Sequence, residues 1–254
     1  MESNTTTIRE FKDPITEEDV TIFGIDLKDD ARGAGYNIGD LLNIPSLGGF
    51  WAATPHNSME DLERLYYIGE AYKKSVLAYY IGHRPSTEII PYLPRVVGAV
   101  KCYINEAPDN VHEWIGRVAQ DDVLCIHIRC GDKTVEDEFM RTALAIAKQF
   151  RQVYIFSGLH LDQYFASNQK KIHNFLQSMN SFLCMPNIHF VDAEPDVHLS
   201  LMMHAKHLLV HKGGFSALGI IVANHNIYVT HTMDLMNEKW HELVPKKYTH
   251  LYCE

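Results

Sequence analysis

From residue 123 onward, short unbroken apolar runs alternate with longer stretches whose apolar positions recur at helical spacing. The runs at 123–128, 153–156, 188–191, 207–211 and 227–230 are four to six residues long and rich in β-branched and aromatic side chains. They predict buried strands. Between them, 136–150 carries Phe139, Leu144, Ala147 and Phe150 at helical intervals, and 168–183, 197–205 and 215–224 also suit helices. This alternation predicts an α/β fold with a mostly parallel sheet covered by helices on both faces. Ligands of such sheets sit outside the carboxyl ends of the strands. Polar and glycine residues gather at four such places: 127–133, 157–158, 192–196 and 212–216.

The first half is less regular. Residues 20–23 read as a strand, and 59–80 as a helix opened by a capping-like Ser58. Residues 33–40, GAGYNIGD, form a glycine-rich loop, and the proline-containing stretch 83–94 connects elements. A division between halves is expected within 105–120, giving an N-terminal half of 1–115 and a C-terminal half of 116–254.

Composition narrows the class. At 46% hydrophobic and 22% charged residues, the chain can bury a substantial core. Its net charge of −9 argues against a broad nucleic-acid surface but leaves room for a local basic pocket. No apolar run is long enough for a membrane span, and the polar opening MESNTTTIREFKDP lacks a signal-peptide core. The expectation is a cytoplasmic protein. Its five cysteines are odd in number and form no CxxC pair, so neither a disulfide framework nor a zinc site is expected. Fifteen histidines raise the question of a metal, but no HExxH occurs, and no metal is expected.

The segment His127-Ile128-Arg129-Cys130-Gly131-Asp132 carries the most chemistry. On a strand His127 and Arg129 share a face, and Arg129 stands where the strand gives way to a loop. A guanidinium there offers planar, paired donors to a phosphate. Gly131 lets the backbone approach a ligand. Asp132 would position Arg129, contact a sugar, or cap the next helix. The plainer alternative is an ordinary ion pair between strand and loop. A second cluster, Lys212-Gly213-Gly214-Phe215-Ser216, follows a strand and opens a helix, whose free N–H groups suit a phosphate. Taken alone, it also fits a tight strand-to-helix turn with a serine cap. In the third, Phe190–Asp196, Asp192 would accept hydrogen bonds from ribose or base groups, or simply belong to a helix start. Ser157 ends a strand. In the first half, GAGYNIGD places Asn37 and Asp40 among three glycines, without the GxGxxG spacing of a dinucleotide site.

At HIRCGD the chain resembles the HxR-x-GD motif of the fucosyltransferase-like superfamily, which includes the α1,2- and α1,6-fucosyltransferases and the protein O-fucosyltransferases. The segment IFSG (155–158) is similar to the family's FSDD-like strand end. DVHLSLMMHAKHLLVHKGGFSALG (196–219) is similar to its DL-x-LM to SSFS segment, and GAGYNIGDLL to its acceptor-side GxGxN loop, with Asn37 at the asparagine. These segments lie mostly within 123–222. The chain has Ala34 where some relatives carry a catalytic glutamate. It also lacks the acidic pair after Ser157, and glycine stands at the second serine position of SSFS.

The resemblance implies a GT-B-like architecture. A C-terminal Rossmann-like parallel sheet with helices on both faces would bind a nucleotide, beside a smaller irregular N-terminal α/β half for the acceptor. It implies a glycosyltransferase, metal-independent and inverting, that moves a sugar from a nucleotide-diphospho-sugar to a glycan hydroxyl. The donor would be GDP-fucose or a UDP-sugar such as UDP-xylose, and no other cofactor is needed. Arg129 would bind the diphosphate, with Asp40 or Asp132 as base. His127, Gly131, Ser157, Asp192, Lys212, Gly214, Phe215 and Ser216 would complete the donor site. Gly35, Tyr36, Asn37 and Asp40 would face the acceptor. Two other readings stand beside it. NIGDLLN (37–43) is similar to the NxGD-x-LN opening of polysaccharide pyruvyltransferases, whose donor is phosphoenolpyruvate. Ala34 suits a non-catalytic nucleotide- or carbohydrate-binding module.

Overall fold

The computed structural model describes residues 6–19, 93–130, 134–157, 165–212, 214–230 and 248–250. The expected strand at 20–23, the loop at 33–40 and the helix at 59–80 lie outside the described residues.

The apolar runs form strands where their pattern predicts. In chain order the elements are β1 (Ile8–Phe11), α1 (Leu93–Glu106), α2 (Asp109–Val118), β2 (Val123–His127), α3 (Asp137–Ala147) and β3 (Gln152–Phe156). There follow α4 (Phe165–Phe182), β4 (Ile188–Ala193), α5 (Pro195–His204), β5 (His207–Val210), α6 (Gly214–Val222), β6 (Asn226–Val229) and β7 (Tyr248–His250). The strands make one seven-stranded mixed sheet in the order β1-β4-β3-β2-β5-β6-β7. All neighbours are parallel except β1, which runs antiparallel to β4.

The central strands β2 to β5 bury both faces, which is why their sequences are nearly continuous apolar runs rather than alternating ones. One face carries Cys125, Tyr154, Phe156, Val191, Leu208 and Val210, packed with Tyr103, Val111, Trp114 and Val118 of α1 and α2 and with residues of α5 and α6. The opposite face carries Leu124, Ile126, Val153, Ile155, Phe190 and Leu209, packed with Phe139, Ala143 and Ile146 of α3 and Phe175, Met179 and Phe182 of α4. The two cores use alternate residues of the same strands, as a pleat requires.

Residues 105–120, the expected division between halves, are largely helical. In α2, Val111, Trp114 and Val118 fall on one buried face at helical spacing. Trp114 stands edge-on to Tyr154, with ring centroids 5.1 Å apart. The α2 part of this stretch therefore packs against the sheet.

β1 comes from the other end of the chain yet completes this sheet, with Ile8 opposite Ala193 and Phe11 opposite Phe190. Polar clamps hold its segment in place. Asn110 donates to the Thr6 carbonyl, and Asn180 of α4 both accepts from the Ile15 N–H at 2.8 Å and donates to the Ile15 carbonyl at 3.0 Å. Ile15 itself is buried in the second core. Asn180→Ala should cost about 1–3 kcal/mol locally, because two backbone groups lose their partner. Hydrogen exchange would register this as faster exchange of the β1 amides, with β2 and β3 unchanged. Among the described residues, no helix is long and apolar enough to cross a membrane.

Candidate functional site

The strand order locates a crevice. From β2 the chain runs outward through β3 and β4, then returns to place β5 on the other side of β2 and continues to β6. β2 and β5 are thus the parallel neighbours at which the direction of winding reverses. After β2 the chain leaves toward α3 on one face, and after β5 toward α6 on the other. The gap between these diverging loops is the usual ligand position in an open α/β sheet.

His127 is the last residue of β2 and is buried. Its Nδ1 lies 2.7 Å from the Oγ of Ser216, which is completely buried in the first turn of α6. Ser216 Oγ also contacts the Lys212 carbonyl oxygen at 3.2 Å. The pair spans 89 positions of sequence and fastens the end of β2 to the start of α6. A serine nucleophile needs an open approach as well as a base. With no exposed surface, Ser216 acts as a strut. Arg129, two residues beyond β2, is exposed at the mouth of the crevice.

On the other face, Glu136 immediately precedes α3. One of its carboxylate oxygens lies 2.7 Å from Nε2 of His211, and the other takes the Lys212 ammonium. The Phe139 ring packs on the His211 imidazole with centroids 4.3 Å apart. Complete burial pushes the His211 pKa down to about 4; the Arg129 charge adds to this, while the Arg129 backbone opposes it. The ring is therefore neutral at pH 7. With a carboxylate as its partner, Nε2 carries the proton and donates it. Nδ1 is buried without a hydrogen-bond partner among the described residues. The Sγ of Cys130 lies 3.2 Å from Ser157 Oγ, tying the segments that follow β2 and β3 to each other.

Thus His127, Arg129, Ser157, Lys212 and Ser216 all lie at or beyond the carboxyl ends of the adjacent strands β3, β2 and β5. Asp192 stands apart from them. It lies on β4, two strands from β2 and therefore about 10 Å away across the sheet. There it faces Arg9 of β1, with Nε 3.7 Å from Oδ2, in the register that pairs the two residues. An edge-strand ion pair is thus one use of that carboxylate. Gly214 and Phe215 form the first residues of α6. Gly35, Tyr36, Asn37, Asp40, Gly131 and Asp132 lie outside the described residues.

Two site residues escape a reading of the sequence. Glu136 looks like the first residue of an acidic helix start, and His211 like the last residue of a strand. The available signal is the change from the apolar Leu208-Leu209-Val210 to His211-Lys212 at a carboxyl end. Among the described residues, no group of three or more His, Cys, Asp and Glu side chains is placed to share a metal ion.

Comparisons of the chain with protein-family models, with curated proteins and with solved structures find no match.

Proposed function

We propose that the chain is a glycosyltransferase that takes a sugar from a nucleotide-diphospho-sugar and places it on a glycan hydroxyl. One observation carries the reading. The segment His127–Arg129 and the turn Lys212–Ser216 meet where the winding reverses, joined by the His127–Ser216 hydrogen bond. Two segments far apart in sequence thereby converge on one crevice, with a guanidinium, an ammonium and a helix start around it.

The chemistry follows from where charge develops. As the bond between the anomeric carbon and the diphosphate oxygen breaks, negative charge grows on the leaving nucleoside diphosphate. Preorganised donors at that position lower the barrier. Arg129 supplies paired N–H donors, and Lys212 a point charge. The free N–H groups at the start of α6 add a partial positive charge without a mobile side chain. The acceptor hydroxyl loses its proton to a carboxylate, for which Asp40 and Asp132 are the proposed candidates. The second lobe of a GT-B-like architecture, formed from the N-terminal half, would bring the acceptor.

Titration calorimetry with GDP, UDP, GDP-fucose and UDP-xylose tests the reading, followed by a transfer and donor-hydrolysis assay. At least one nucleoside diphosphate should bind. Arg129→Ala should weaken it by about 10- to 100-fold, the worth of a charge-assisted hydrogen-bond pair. The unfolding midpoint should stay in place, because Arg129 is exposed. Binding unchanged by Arg129→Ala would remove its assigned role. Turnover of phosphoenolpyruvate instead of nucleotide-sugars would replace the donor class.

A further inference from the structure

Glu136 makes contacts that its position in the chain does not call for. It is the residue before α3, with extended backbone (φ −69°, ψ 140°), and its side chain caps none of the helix's own N–H groups. Its carbonyl accepts the Met140 N–H at 3.0 Å, an ordinary helix start. The carboxylate instead reaches across the crevice to two consecutive residues beyond β5. One oxygen faces the His211 Nε2–H, and the other the Lys212 ammonium.

The three partners differ in their freedom to move. The His211 side chain has no exposed surface, that of Lys212 is 22% exposed, and that of Glu136 is 39% exposed. Glu136 can swing into water and be solvated there. His211 cannot follow, because its ring is held between the sheet and Phe139. Its buried N–H therefore needs an acceptor whether Glu136 is present or not, since an unmet buried donor is costly. A ligand that offers acceptor oxygens can take the place of the carboxylate. A ligand with more negative charge than a carboxylate would hold Lys212 more strongly as well.

We propose that the His211 Nε2–H and the Lys212 ammonium form a phosphate subsite, and that Glu136 is its resident stand-in, displaced when a phosphoryl group enters. This rests on the reading of the same crevice as a diphosphate site and adds to it a specific pair of donors and an internal competitor. The competitor keeps the ammonium and the buried donor satisfied in the absence of ligand. It also sets a threshold: inorganic phosphate and simple carboxylates gain little over what Glu136 already provides, whereas a diphosphate has oxygens enough for this subsite and for Arg129 together.

Calorimetry with inorganic pyrophosphate, at low salt and neutral pH, compares the unaltered chain with Glu136→Gln. The amide keeps the size and removes the charge. Pyrophosphate should bind the variant about tenfold more tightly, as expected when one partly exposed charged competitor is withdrawn. Adding Lys212→Ala to Glu136→Gln should cancel the gain. Equal or weaker binding by Glu136→Gln overturns the stand-in while leaving the diphosphate reading in place. No pyrophosphate binding by either protein overturns both. A measurement without substitutions guards against a variant that folds poorly. In the unaltered chain, saturating pyrophosphate should shift the side-chain nitrogen resonances of His211, and unmoved resonances at saturation overturn the proposal.

Discussion

Phe139→Ala should lower the unfolding free energy by about 3–5 kcal/mol, the usual cost of emptying a buried phenylalanine site. Phe139 is 1% exposed and belongs to the core between α3 and the sheet. That loss is about a fifth or more of the stability of a typical domain, which is about 5–15 kcal/mol in all. Denaturant titration measures it, and an unchanged slope would assign the effect to the native state. A second consequence separates this residue from others in the core. Its ring covers the His211 imidazole, so the vacated space admits water and relieves the burial that holds the His211 pKa down. In the variant the His211 titration should move upward from about 4 toward the ordinary 6.5, as read by NMR. A drop of less than 1 kcal/mol, or an unmoved titration, would contradict this account of the corner.

His211 also gives the protein a defined acid sensitivity. Above about pH 6.5 the ring is neutral in both the folded and the unfolded chain, and its contribution is constant. Between pH 6.5 and about 4 the unfolded chain takes up a proton that the folded chain refuses. Stability therefore falls as pH falls through this window, and the loss is complete below about 4. A shift of this size corresponds to about 3 kcal/mol. His207, also held down by burial, acts in the same direction, whereas the hydrogen-bonded Asp19 carboxylate loses its contribution only at lower pH. The test is therefore a difference. Unfolding free energies at pH 7, 5.5 and 4.5 should fall more steeply for the unaltered chain than for His211→Gln. Parallel curves would show that His211 does not carry the effect.

Much of the sheet was legible because its strands are central. A strand buried on both faces is largely apolar, and β2 to β5 read that way, with helical spacing between them. Their ends were legible to within a few residues. β1 was not, because Ile8-Arg9-Glu10-Phe11 is a partly polar edge strand with no continuous run, and its partner lies far away in sequence. α1 and α2 were not read as helices of this sheet, because the first half lacks the regular alternation of the second. Of the site, the charges at strand ends could be read in advance, since Arg129 and Lys212 each stand at the carboxyl end of an apolar run. The fastening of His127 to Ser216, the engagement of Lys212 by Glu136 and the pairing of Asp192 with Arg9 could not. Each is set by strand order and helix placement, which a linear pattern does not encode.

The antiparallel strand has a consequence for how the molecule comes into being. Glu10 and His189, which meet beside β1 and β4, are 179 positions apart. During synthesis β1 must wait for the chain that carries its partner. Until then β4 has an open hydrogen-bonding edge, the kind that recruits foreign strands. Closure is a long-range event that costs loop entropy and comes late. A strand made before β4 is thus placed only after β4 is made, and its arrival seals one border of the sheet.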